Sequence, residues 1–162
     1  MTTTQTTKSY FHRGGDEPLL GATIPEHFAH IVEQFPDHEA VVSLPQLKRL
    51  SYKELSKAID QVAMGLFGLG FNKGDRIGIW STDNLEWLLV QMATARIGIV
   101  LVNINPAYRV AELEYAIQLS ELHGIITNPA FRSSNYVAML TELIQDLTTA
   151  LTYIKNTNLP FF

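Results

Sequence analysis

The sequence predicts an α/β fold, with parallel strands joined by crossover helices. Three observations carry this. From Ile77 onward, short apolar runs alternate with stretches of helical periodicity. Ile99-Val100-Leu101-Val102 is apolar without a break, the pattern of a strand covered on both faces. The chain has 162 residues, of which 46% are hydrophobic, enough for one domain with a real core and too apolar for disorder.

The first element opens at Thr23-Ile24-Pro25-Glu26. Thr23 caps a helix, and Glu26, three residues on, completes a capping box. Ile24, Phe28, Ile31, Val32 and Phe35 fall on one helical stripe expected to face the core, and Pro36 stops it. Ala40-Val41-Val42 is a short strand that stands apart from the later alternation. Ser51 and Glu54 form a second capping box. Leu55, Ile59, Val62, Leu66 and Leu69 make the stripe behind it, and Gly70 is a left-handed stop. Lys73-Gly74-Asp75 is turn chemistry, and a strand follows over 77–80.

Asp83 is expected to cap a third helix, with Leu85, Leu88, Leu89 and Met92 inward and an end near Gly98. After the strand at 99–102, Asn105-Pro106-Ala107-Tyr108 is a loop. A shorter helix follows over 112–122, then the strand Gly124-Ile125-Ile126-Thr127. The last helix, over 134–147, should turn Val137, Leu140, Ile144 and Leu147 to one side. The chain divides into an extension (1–22), a domain (23–147) and a tail (148–162) that begins at Thr148-Thr149.

Charge and composition narrow the partners. The net charge is −4, from 12 basic and 16 acidic residues with no basic block, which argues against nucleic acid. The absence of cysteine rules out disulfides and thiolate metal sites. Glu86, Gln91 and Arg96 interrupt the most apolar stretch, 85–104, so no transmembrane segment is expected. The first fifteen residues lack the apolar centre of a signal peptide. The expected compartment is the cytoplasm. Lys8 and Arg13, with no acid before Asp16, leave the mitochondrion as the runner-up.

Candidate chemistry is sparse. Gly65, Gly68, Gly70 and Gly74 cluster, but they lie inside a helix and at its end. A phosphate loop follows a strand and opens a helix, so packing and C-capping explain these glycines better. His27 and His30 are three apart on one helix, yet no third ligand sits near them, and they read as surface residues. His12, His38 and His123 are isolated. Ser81-Thr82 and Ser133-Ser134 have no His or acid arranged about them and read as helix caps. Glu112 and Glu114, two apart on a helix, do not face each other. Trp80, Trp87, Tyr108 and Tyr115 are core residues by default. Asn103, Asn105 and Tyr108 stand out as pocket-lining candidates, because they follow a strand at the carboxyl end, where open α/β sheets bind ligands. No glycine occurs between Ile125 and Phe162, and no Gly-Lys-Ser or Gly-Lys-Thr occurs anywhere, so no loop here can wrap a triphosphate.

A series of short pieces, taken in order, resembles one family. It runs from Pro18-Leu19-Leu20-Gly21-Ala22-Thr23 through Phe35-Pro36-Asp37 and Leu50-Ser51-Tyr52-Lys53-Glu54-Leu55 to Leu69-Gly70 with Lys73-Gly74-Asp75-Arg76. It continues in Asn84-Leu85-Glu86-Trp87, Gln91-Met92-Ala93-Thr94-Ala95, Val102-Asn103-Ile104-Asn105-Pro106-Ala107-Tyr108 and Glu112-Leu113-Glu114-Tyr115. The chain resembles the beginning of an acyl-CoA synthetase of the adenylate-forming, AMP-binding superfamily, most of all the medium-chain fatty acid–CoA ligases. The order of the pieces carries the specificity.

The resemblance implies a partial N-terminal domain of the adenylate-forming fold. It also implies two half-reactions: a carboxylate attacks ATP to give an acyl-adenylate, and coenzyme A then displaces AMP to give a thioester. ATP, Mg²⁺ and CoA are the implied cofactors of the full-length family, with a fatty acid as partner. The family's Ser/Thr/Gly-rich phosphate loop, metal-binding Glu, ribose-binding Asp and C-terminal Lys have no counterpart in these residues. No catalytic, cofactor-binding or metal residue is therefore assigned. The expectation is an N-terminal fragment, inactive alone, that self-associates through uncovered apolar surface. The alternative is a stand-alone α/β binding or interaction module derived from such an enzyme.

Overall fold

The computed structural model describes residue 15 and residues 19–146. Most of the expected extension, Leu147 and the tail over 148–162 lie outside the described residues.

Helix α1 (Ile24–Gln34) starts on the capping box read from the sequence: the Glu26 carboxylate accepts from the Thr23 N–H at 2.7 Å, and Thr23 Oγ1 accepts from the Glu26 N–H. Its stripe is not buried as expected. No residue of α1 is fully buried: Phe28 packs against the core, Ile31 and Val32 are half-buried, and Ile24 and Phe35 are exposed, because α1 lies on the outside of the next two helices. Strand β1 (Glu39–Ser43) pairs antiparallel with β2 (Lys48–Ser51), closing a hairpin of its own. Strand β2 has little hydrophobic signal in Lys-Arg-Leu-Ser and goes unseen in the sequence reading.

Helix α2 (Tyr52–Gly68) follows directly from Ser51, whose hydroxyl accepts from the Glu54 N–H while Glu54 accepts from the Ser51 N–H at 2.8 Å. Leu55, Ile59, Val62 and Leu66 are buried as predicted. Gly70 at φ +92° and Gly74 at φ +93° turn the chain into the central strand β3 (Arg76–Trp80). Helix α3 (Leu85–Ile97) is capped by Asn84, not by Asp83: the Asn84 side-chain oxygen accepts from the Trp87 N–H at 2.8 Å. Gly98 ends it at φ +75°.

Strand β4 (Val100–Asn103), helix α4 (Val110–Ser120) and strand β5 (Gly124–Thr127) complete a parallel sheet ordered β4-β3-β5. Its register sets Ile77 beside Leu101 and Gly124. The apolar run at 99–102 thus supplies an edge strand whose two faces are both covered, Leu101 packing on the α2 and α3 side and Val102 on the α4 side, while Val100 at its start is 50% exposed. A small antiparallel pair, β6 (Ala130–Phe131) with β7 (Ser134–Asn135), precedes helix α5 (Tyr136–Asp146). The inward face of α5 is Tyr136, Met139, Leu140 and Leu143. Of the expected stripe, Leu140 is buried and Val137 is half-buried, while the Ile144 side chain and Leu147 lie outside what the structure describes; Tyr136 enters the core at the helix's first position.

The sheet is covered on both faces. Ile77 and Ile79 point toward α2 and α3, with Leu101 and Ile126 beside them. Trp80, Val102 and Ile125 point the other way, toward α4 and α5. This alternation is the period of two that a strand imposes.

Candidate functional site

The geometry of a ligand cleft comes from the crossovers. The chain leaving β3 turns to α3 on one face, and the chain leaving β4 turns to α4 on the other. The two loops diverge, and such a divergence opens a crevice at the carboxyl ends of parallel strands. An open cleft of about 420 Å³ lies there. Its walls are Ser81, Thr82, Asp83 and Trp87 from the β3 side, and Asn103 to Pro106 from the β4 side.

Each wall is held by identifiable bonds. On the β3 side, Asn84 Nδ2 donates to Ser81 Oγ at 3.2 Å, and Ser81 Oγ donates to the Thr82 carbonyl at 2.8 Å. Ser81 therefore braces the turn and does not cap the helix. The hairpin reaches the same turn through Gln46. Its Oε1 accepts from the Leu85 N–H at 2.9 Å and its Nε2 donates to Glu86 Oε2 at 2.6 Å. On the β4 side, the Ile104 N–H donates to the Ile79 carbonyl at 3.0 Å, continuing the sheet by one bond. Asn105 Oδ1 accepts from the Ala107 N–H at 2.9 Å, a side-chain turn that tightens the loop.

Asn103 and Asn105, both expected at a pocket, are exposed in this cleft. Tyr108 is not among its lining residues. Its ring packs against the Trp80 cluster on the α4 side instead. Ser81, Thr82, Asp83 and Trp87 were not placed at a site from the sequence, although they end the neighbouring strand by the same positional rule. Ser134 is likewise no helix cap. It sits in β7 and accepts from Arg109 Nη1 at 2.8 Å, while Asn135 Oδ1 caps α5 at the Ala138 N–H.

The cleft offers hydroxyls, side-chain amides, one exposed carboxylate and part of the half-buried Trp87. Such groups are of the kind that can hydrogen-bond and orient a polar ligand. No histidine or second carboxylate lines the cleft to serve as a base for Ser81, so it holds no nucleophile pair. Among the described residues, no group of three or more His, Cys, Asp or Glu is placed to hold a metal ion.

The Lys73-Gly74-Asp75-Arg76 run lies at the opposite end of β3. Asp75 Oδ2 accepts from the Asn72 N–H at 2.7 Å. Arg76 reaches the Ser120 carbonyl at 3.2 Å and Glu121 at 2.8 Å. The Gly74 N–H donates to the Gly98 carbonyl at 2.9 Å. This conspicuous stretch of sequence ties the bottoms of three strands together and touches no part of the cleft.

Comparison with known proteins supplies the family. The model of the AMP-binding enzyme family matches residues 28–159. The medium-chain acyl-CoA ligase ACSF2, mitochondrial, of Danio rerio is 36% identical over 155 residues, which is 95% of this chain and 26% of that protein. The mouse protein of the same name is 37% identical over 88% of this chain and 23% of its own length. The chain thus spans about a quarter of the length of the curated relatives it matches. The solved structure of a Mycobacterium tuberculosis fatty acyl CoA synthetase superposes with a TM-score of 0.70 at 19% identity, covering 82% of this chain and 25% of that one; it shares the fold. With a family match over most of its residues, the chain belongs to the AMP-binding enzymes.

Proposed function

We propose that this chain is the amino-terminal portion of an ATP-dependent fatty acid–CoA ligase, and that the cleft between β3 and β4 forms one wall of that enzyme's ligand site. The observation that carries the reading is the match to medium-chain acyl-CoA ligases over 95% of the chain but only 26% of the relative. ATP, Mg²⁺ and CoA belong to the complete enzyme. The described residues do not fit Mg²⁺ or a triphosphate: they hold no candidate metal cluster, and no glycine-rich loop runs from a strand into a helix. What this chain contributes is binding and orientation, through the Asn103 and Asn105 amides, Thr82, Asp83 and Trp87. On its own it forms no thioester.

The mitochondrial names of the two relatives support the mitochondrion over the cytoplasm, and fractionation of source cells decides between them. Among the described residues, no helix is long and apolar enough to cross a membrane. Exposed Met64 and Phe67 on α2 and Tyr115 and Leu119 on α4 support self-association of the isolated chain, to be read by sedimentation velocity.

The test is to capture the native protein from source cells with an antibody against this chain, size it, and assay it with octanoate, ATP and CoA. A band several-fold above 18.2 kDa with thioester formation that needs all three supports the proposal. A single band near 18.2 kDa that binds octanoate or nucleotide saturably without turnover replaces it with the binding-module reading.

A further inference from the structure

The β4 wall of the cleft is a loop leaving the edge strand; Ile104 and the Tyr108 ring pack at its two ends, and few hydrogen bonds hold the stretch between them. Among the described residues, its backbone bonds are the Ile104 N–H to Ile79 at its root and the Tyr108 N–H to the Asn105 carbonyl, at 3.1 Å, within itself. The Ala107 N–H bond to Asn105 Oδ1 is internal too. Two bonds tie the loop's middle to the body of the domain. The indole N–H of Trp80 donates to the Asn105 carbonyl at 3.1 Å, and the phenol O–H of Tyr136 donates to the Pro106 carbonyl.

The two donors act as one unit. Their rings stack with centroids 3.7 Å apart and planes 18° from parallel. Both side chains are wholly buried. Trp80 ends the central strand and Tyr136 begins α5, so the pair also joins the sheet to the last helix. Buried aromatic rings with a polar tip are rigid, and their tips find partners. Here the tips find two consecutive carbonyls in one cleft wall. Burial also raises the Tyr136 pKa above its ordinary value, so the phenol, a donor at neutral pH in any case, stays one further into the alkaline range.

We propose that Trp80 and Tyr136 are positioning residues for the ligand cleft: by gripping the Asn105 and Pro106 carbonyls, the stacked pair sets where the Asn105 side chain stands, while Asn103 is held by the sheet. The proposal rests on the cleft being the ligand site of the proposed ligase. Neither ring lines the cleft; both act through the loop.

Amide hydrogen exchange, read residue by residue by NMR on the 162-residue chain, tests it. The Ala107 and Tyr108 N–H groups report loop opening, and the Ile104 N–H reports the sheet edge. Tyr136→Phe removes one grip and keeps the stacked ring; Trp80→Phe removes the other and keeps an aromatic face. In each variant, exchange at Ala107 and Tyr108 should quicken roughly fivefold to tenfold, with Ile104 changed less than about twofold. Unchanged exchange at Ala107 and Tyr108 overturns the proposal. So does equal acceleration at Ile104, which would mark a general loosening. If Trp80→Phe does not fold, Tyr136→Phe decides alone. Exchange needs no turnover, so a native protein that forms no thioester would defeat the ligase reading and leave this result as measured.

Discussion

The ring of Phe71 lies so close over Gly124 that a Cβ on Gly124 would stand 2.7 Å from its Cζ and 3.1 Å from its Cε1. Phe71 follows the end of α2 and packs against the core between the sheet and α3. Gly124 opens β5. The missing side chain on one element is thus the space filled by an aromatic on another. Gly124→Ala should cost about 1–3 kcal/mol, because neither the strand nor the ring can move aside freely. Adding Phe71→Leu should recover part of that loss, a coupling visible in a double-mutant cycle of urea midpoints. Simple additivity would mean that the ring shifts at no cost.

Leu89 and Ile24 were both read as stripe residues, yet they should behave differently. Leu89 is fully buried in α3, and Leu89→Ala should lose about 2–5 kcal/mol through transfer and cavity terms. Ile24 is 68% exposed at the start of α1, and Ile24→Ala should stay within about 0.5 kcal/mol. Chemical denaturation of both variants checks the contrast.

Acid should weaken the helix starts in a defined direction. Glu54 accepts from the Ser51 backbone N–H and then from its hydroxyl, which holds its carboxyl below the ordinary value of 4.5. Glu26 is lowered in the same way by Thr23, with a smaller contribution from His30. A folded pKa below the unfolded one stabilises above the unfolded value, and that stability is lost as pH falls through the folded value. Thermal midpoints of the wild type and Glu54→Gln should therefore differ at pH 7 and converge as the pH falls through the lowered folded value. Glutamine keeps an acceptor without charge, so the difference isolates the ionised carboxylate. A gap that persists unchanged at low pH would place the effect elsewhere.

Leu47, at the hairpin tip, has φ +51° and is 91% exposed. It carries left-handed strain with no burial to offset it. Leu47→Gly should raise stability by up to about 1 kcal/mol, relief of the Cβ clash outweighing the backbone entropy of glycine. A lower midpoint would show that the leucine side chain makes a contact worth more than the strain.

The sequence reveals what is local. Both capping boxes, the left-handed Gly70 and Gly98 and the strand from Gly124 to Thr127 follow from neighbours a few residues apart. It conceals what depends on partners. The Ile24 stripe has helical spacing, but only tertiary packing decides whether a stripe is covered, and α1 lies on the outside. The four apolar residues at 99–102 foretell cover on both faces, which Leu101 and Val102 have, but not the place of β4 at the edge, which strand order decides. The positional rule about carboxyl ends reaches Asn103 and Asn105, and the structure places both along the cleft. The same rule reaches Ser81 to Asp83 once β3 is known to lie beside β4, and pairing is what a single sequence lacks. Tyr108 satisfies the rule and fails the geometry, because its ring turns into the core.

The order β4-β3-β5 has a consequence in time. Ile77 pairs with Leu101 on one side and Gly124 on the other, so no strand of the parallel sheet bonds to its immediate successor without a helix in between. During synthesis the central strand emerges first, gains its first partner only after one crossover, and is paired on both edges only after two. The antiparallel hairpin of β1 and β2 and the capped α2 close over short distances and can form while it waits. Loop closure then makes the sheet the slow step. The strand that ends in the cleft is the first of the sheet to be made and the last to be satisfied.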